Sequence, residues 1–482
     1  MRVSSRRLRA GAPVAAILAE QFAAVRRELS VPADFPAAVR AEAIAATTEP
    51  ALSYDDATDL PFLTIDPAGS VDLDQAMHLA RTPQGYRFDY AIADVGAFVR
   101  PGGALDAESH HRGETLYSPD DRTPLYPAEL SEGAASLLPD QVRPSVLWSF
   151  ELDRRGEPVS TRVRRARIRS RQRLDYVGVQ AVLDADRNVP EQLALLRELG
   201  RLRQEREHER GGVSLDVPEQ EVTADPSGGW RLEFRATLPC EDWNAQLSLL
   251  TGMAAARLML DGRIGLLRTL PPPWPSSLVT LRRSALALGV PWPEGQGYAD
   301  FVRTLDGTKP PHAAILALAT VLLRGAGYVA FDGEPPEQPL HSAVAAPYAH
   351  ATAPLRRLGD RYVSEVCLAL SAGTPVPEWA RSQLPSLPAA MATADRRSHE
   401  LERSMIDLAE AVTLSGRVGE VFRAVVVDVR EANDGHPARA TVQLREPAVR
   451  ARCTGNLPLG QEVDVKLVVA DPVAHTVEFI RG

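Results

Sequence analysis

Cysteine is scarce in this chain, with three among 482 residues: Cys240, Cys367 and Cys453. They are odd in number and far apart, without metal-ligand spacing. That excludes a disulfide framework and a cysteine-built metal site, and it agrees with a reducing compartment. Long hydrophobic runs are missing as well: no eighteen-residue apolar stretch exists, so no membrane-spanning helix is expected. The basic N-terminus lacks the unbroken apolar core and cleavage site of an export signal, and the sequence predicts a soluble, cytoplasmic monomer. Lysine is nearly absent beside arginine, a bias we attribute to a GC-rich genome. Excess positive charge is absent too. A formal net charge of −9 speaks at first sight against a nucleic-acid partner, yet an internal channel needs only local positive charge. One such concentration is the stripe Arg162, Arg164, Arg165, Arg167, Arg169, Arg171 and Arg173. From Arg165 the odd positions are all arginine, which puts five on one face of an extended strand. That face is either a nucleic-acid surface or an edge strand blunted by charge.

What is present is organised around residues 62–76, FLTIDPAGSVDLDQA. The apolar run Phe62-Leu63-Thr64-Ile65 reads as a buried strand that delivers Asp66 to a Pro67-Ala68-Gly69-Ser70 loop. Asp72 and Asp74 follow at once. Three acids on one tight turn repel each other unless a cation sits among them, and Mg²⁺ prefers a few carboxylate oxygens plus water. Alone, the pattern is better read as a solvated acidic turn, so the rest of the chain must decide.

Several further motifs follow in order. Arg112-Gly113-Glu114-Thr115-Leu116-Tyr117 precedes Pro124-Leu125-Tyr126-Pro127, and Leu174-Asp175-Tyr176 closes the arginine stripe. A charged helix over 191–210 is capped by Gly211-Gly212, which leads into Val213-Ser214-Leu215-Asp216. Glu241-Asp242-Trp243-Asn244 opens another helix, running to about residue 260. Then comes Pro347-Tyr348-Ala349-His350-Ala351-Thr352-Ala353-Pro354-Leu355-Arg356-Arg357, where Pro354 fits the first turn of a helix that Thr352 caps. A last helix over 391–411 carries Glu402 and Arg403.

Together these segments resemble the ribonuclease II (RNB) family of 3′→5′ exoribonucleases, whose signature is usually D-x₅-D-x-D-D-A. The resemblance covers residue 59 to the C-terminus. It implies an α+β protein: a helical segment over 1–55, an RNB catalytic domain over 56–413 and an OB-fold RNA-binding barrel over 414–482. Four alternating strands, at 421–429, 438–444, 462–469 and 476–480, read directly as barrel strands; the fifth has no clear position. Barrel binding is expected to lean on Arg423, Arg430, Arg439, Arg445, Arg450 and Arg452, because aromatics are few there.

The implied activity is Mg²⁺-dependent hydrolysis of single-stranded RNA to 5′-nucleoside monophosphates. Asp66, Asp72 and Asp74 would hold the metals, with Asp74 closest to cleavage. Arg356 would grip the scissile phosphate, since a guanidinium fork binds two phosphate oxygens at once. Arg357 would be a second backbone contact or a structural ion pair. Tyr117 and Tyr176 are implied RNA contacts, Leu215 stands where a second stacking aromatic belongs, and Glu402 is a further substrate contact. His350 reads as a packing residue and Asp94 as a metal-shell acid or a strand-end cap. The chain also departs from the family: Gln75 replaces the fourth acid, and Ser248 and Leu249 replace two glutamates. Those departures keep a second expectation open, an RNA-binding regulatory protein of the same fold with little nuclease activity.

Overall fold

The computed structural model describes residues 12–48, 52–215, 217, 219–224, 230–430 and 438–482. Asp216 of the glycine-led motif lies outside the described residues. Two helices form in the expected N-terminal helical segment, at Ala12–Glu28 and Ala37–Ala46. Leu18, Phe22 and Val25 of the first pack on Leu401, Met405 and Leu408 of the long helix Leu387–Leu414, and on Leu116. The helical prefix therefore buttresses the strand that carries Tyr117.

The central region is built on one mixed sheet. Its acid strand Phe62–Asp66 pairs parallel with the arginine strand Pro158–Asp175, which sets Asp66 opposite Asp175. On the other side, strands Gln75–Thr82, Gly85–Ala93 and Val142–Asp153 follow antiparallel. Val142–Asp153 also pairs with the first part of the arginine strand, so the ladder returns on itself. Alternation explains the packing: Phe88, Tyr90, Trp148 and Phe150 fill one face, all fully buried.

The arginine strand is interior, not an edge, because Ala166 pairs with Asp55 on one side and Ser145 on the other. Its arginines divide. Arg165 is taken up by Asp94 at 2.7 Å and by Glu365, whereas Arg167, Arg171 and Arg173 stay exposed. Asp94 also accepts the Tyr54 hydroxyl at 2.9 Å. It is an ion-pair residue rather than a metal-shell acid, and its side chain makes no cap.

Helix Glu191–Glu209 packs against this sheet and helix Pro239–Gly262 packs on that helix in turn, and Gly211 adopts the left-handed φ of +80° expected of a C-cap. The barrel contains strands Val421–Arg430, Arg439–Leu444, Arg450–Thr454, Glu462–Asp471 and Thr476–Arg481, closed in one ring. The strand that sequence reading could not place is Arg450–Thr454. Only Ala451 and Cys453 point inward there, between charged and polar neighbours, so its alternation is too short to stand out. Arg450 itself is structural: its amide donates to Glu410 and its guanidinium to Gln443. Arg423, Arg430, Arg439, Arg445 and Arg452 remain exposed.

Candidate active site

Asp66 ends its strand half-buried, and its Oδ2 is buried without a hydrogen-bond partner. Burial, tempered by Arg356 and reinforced by the neighbouring Asp72, pushes its carboxyl up to about 6. Asp74 is 4 % exposed and more strongly shifted, to about 8; burial raises it, while Arg356 and one backbone amide oppose the rise. That amide belongs to Leu355, which donates to Asp74 Oδ1 at 2.7 Å, and Arg356 Nε lies 3.4 Å from Oδ2. The acid turn and the Pro347-to-Arg357 motif, 281 residues apart, thus share one site.

The way the second motif reaches the acids differs from the expected helix. Residues 353–357 form a turn, with the Arg356 and Arg357 amides both donating to the Ala353 carbonyl, and the helix begins only at Leu358. Thr352 caps nothing; its hydroxyl meets that of Ser248 at 2.9 Å. Asp360 organises the turn instead, accepting the Ala353 amide at 2.8 Å and both arms of Arg357 at 2.8 and 3.1 Å. Proline with φ near −65° starts a turn as readily as a helix, so the sequence signal was ambiguous. Gly113 and Thr115 clasp the turn from outside: Thr115 N–H donates to the Arg356 carbonyl, and Leu358 N–H to the Gly113 carbonyl. Gly113 has φ +74°, and a Cβ there would sit 2.6 Å from that of Ala394, so the Arg-Gly of the motif cannot be Arg-Ala. Arg112 is structural, paired with Glu108 at 2.8 Å and lying 3.7 Å from the Phe35 ring centre.

Of the two readings of Arg357, second backbone contact or structural ion pair, the geometry favours the ion pair, because its fork is spent on Asp360. Arg356 keeps 45 % of its side chain exposed and remains available to an anion. Tyr117 is 52 % exposed beside Asp72, Asp74 and Arg356. Tyr176 opens a helix capped by Asp175, and its hydroxyl accepts from Asn244 Nδ2 at 2.9 Å; burial and the nearby Asp66 push it up to about 12. Leu215 packs half-buried on the helical cluster of Leu281, Phe301 and Ile315, which gives it a structural task. Glu402 stands exposed on the long helix, with no ion pair among the described residues. His350 meets the Tyr328 hydroxyl at 2.7 Å, and burial lowers it well below the usual histidine range, in keeping with packing.

The acids do not form a ready-made cage. Among the described residues no three His, Cys, Asp or Glu side chains gather as a metal site. Asp72 is drawn to Arg122 Nη1 at 2.6 Å, and Gln75 accepts the Tyr90 hydroxyl. Sequence reading missed Arg122, Tyr90 and the Leu355 amide, since nothing local marks residues that act across the fold. A divalent ion nonetheless fits: the donors are hard carboxylate oxygens, Asp66 Oδ2 is buried and unsatisfied, and burial holds Asp66 and Asp74 toward protonation, a cost that a bound cation would offset.

Residues 54–371 match the RNB domain, and residues 420–481 match the RNase II-type exonuclease C-terminal S1 domain. The chain belongs to the RNB family. Within that family it is similar to Ribonuclease R of Escherichia coli, 28% identical over 400 residues that cover 78% of this chain and 48% of the relative. It is 31% identical to the exosome complex exonuclease RRP44 homolog A of Arabidopsis thaliana, over 66% of this chain and 35% of that one. The chain spans about half the length of these curated relatives, or less. Among solved structures of the fold, Mycoplasma genitalium RNase R in complex with ribose methylated single-stranded RNA superposes with a TM-score of 0.85 at 20% identity, over 96% of this chain and 78% of the other. Yeast Ssd1, a pseudonuclease, superposes with a TM-score of 0.67 at 17% identity, over 87% of this chain and 53% of that one.

Proposed function

We propose that this protein is a hydrolytic 3′→5′ exoribonuclease that shortens single-stranded RNA to 5′-nucleoside monophosphates with Mg²⁺. The observation that carries the reading is the meeting of Asp74 with the Leu355 amide and Arg356, beside the unpartnered oxygen of Asp66. Asp66 and Asp74 would hold a divalent ion, and Asp72, the third acid of the turn, lies beside them paired with Arg122. Such an ion, when bound, supplies an activated water and neutralises charge on the leaving 3′ oxygen. Arg356 then faces the phosphodiester while its carbonyl and neighbouring amide stay fixed, so the guanidinium is oriented before substrate arrives. Tyr117 offers an exposed ring for stacking, a sequence-tolerant contact because every base has a π-face. The buried, free cysteines suit the cytoplasm, and we take the 52.3 kDa chain to act as a monomer.

The test is incubation of end-labelled single-stranded RNA with Mg²⁺ or with EDTA. Mononucleotides formed only with metal support the enzyme, and cutting of a circular RNA would make it an endonuclease instead. A second reading, an RNA-binding protein with little activity, is favoured by Gln75 being turned to Tyr90 and by the likeness of fold to a pseudonuclease. It requires a gel shift without degradation.

A further inference from the structure

Arg122 stands on the hairpin that carries Tyr117, directly across the ladder from it. One arm of its guanidinium meets Asp72 Oδ1 at 2.6 Å and the other meets Glu132, so it is fixed from both sides. The hairpin tip is anchored in turn by Asp120, whose carboxylate accepts both arms of Arg26 from the first helix, at 2.5 and 3.0 Å. Arg122 is thus a positioned cation inside the acid turn.

We propose that Arg122 is the built-in counter-cation of Asp72, so that the site takes one divalent ion, at Asp66 and Asp74, and a guanidinium where a second ion would otherwise sit. This deepens the nuclease reading and rests on it. Three independent features agree. Asp72 spends an oxygen on Arg122. Gln75 brings no charge and gives its carbonyl oxygen to Tyr90. Asp66 keeps a buried oxygen with no partner, while no trio of metal-binding side chains is assembled among the described residues. A guanidinium can stand in for a divalent ion beside a phosphodiester because it is planar, permanently charged and a multiple donor. Unlike a metal ion it cannot activate water, so water activation is left to the single ion.

The experiment counts ions. The full chain is titrated with Mn²⁺, and bound metal is followed by the loss of the free-ion EPR signal and by calorimetry. The parent should bind one Mn²⁺ per chain. Arg122→Gln should bind two, and Arg122→Lys, which keeps the charge, should return to one. Asp72→Asn should leave the count at one, whereas Asp66→Asn should abolish binding. Two ions in the parent, one ion in a folded Arg122→Gln, or loss of the ion in Asp72→Asn would each overturn the proposal. The parent count decides even if a variant fails to fold. Digestion of labelled RNA is read separately: a parent that binds one ion and leaves RNA intact fails the nuclease reading alone, and one that degrades RNA with two ions fails only this proposal.

Discussion

At the scale of single residues, two charged neighbours in sequence have opposite duties. Arg356 is half free and points to the acids; Arg357 is locked to Asp360, which is fully buried. Removing Arg357 leaves that carboxylate without its counter-charge, and breaking a buried pair from one side costs about 3–5 kcal/mol. Arg357→Ala should therefore lower the denaturant midpoint steeply, and the folded remainder should bind RNA with nearly the parent affinity. If RNA affinity fell instead and stability held, the assignment of Arg357 to the ion pair would be wrong. Asp74→Asn is the complementary case. The amide oxygen of asparagine can still accept from Leu355, so the fold should survive. The charge proposed to hold the metal is gone, and on that reading RNA digestion should drop by about 10²–10³-fold, the scale seen when one group stabilising transition-state charge is removed. Parent-like digestion would remove Asp74 from the chemistry.

At the scale of elements, the long helix Leu387–Leu414 joins three bodies: the N-terminal helix, the central sheet region and the barrel. Near its end Glu410 accepts the Arg450 amide of the barrel and the Gln220 side chain, both at 2.6 Å. Burial nevertheless pushes Glu410 up to about 7 from 4.5. Because the folded state holds its proton more tightly than the unfolded chain, this residue favours folding fully below pH 4.5, and the contribution is lost as pH rises through about 7. The amount is on the order of 3 kcal/mol at 1.36 kcal/mol per unit. Glu410→Gln should flatten the fall in melting temperature between pH 4.5 and 7; an unchanged slope would place the titration elsewhere. The helix itself was legible in sequence to within four residues at either end, and so were four of the barrel strands, because an amphipathic or alternating period needs only local information. Arg450–Thr454 was not, and neither was the turn at 353–357. The turn depends on Asp360 reaching back to Ala353, and on Gly113 and Thr115 arriving from a distant part of the chain. Motif order grouped Asp66, Asp74 and Arg356, and in the structure Arg356 lies beside both acids. It was silent on Arg122, whose role exists only once the hairpin folds beside Asp72.

At the scale of the whole molecule, an acidic average of −9 coexists with exposed arginines on the barrel. Register places Arg439, Thr441 and Arg452 on one outer face of adjacent strands. Neutralising Arg439 and Arg452 together should weaken binding of single-stranded RNA. It should also reduce the slope of log affinity against log salt by about 1.4, at roughly 0.7 per released counterion. A slope unchanged within error would show that the barrel's outer face does not touch RNA.

The arginine strand Pro158–Asp175 ends with Asp175 level with Asp66, and its other half is stitched to Val142–Asp153. The cradle beneath the acids is accordingly woven from main chain. Peptide groups are the same whatever hangs from them, so a lineage can exchange a fourth acid for glutamine, or an aromatic jaw for leucine, without moving the remaining carboxylates. Drift in such a scaffold shows first as altered appetite for metal and substrate, long before it shows as altered shape.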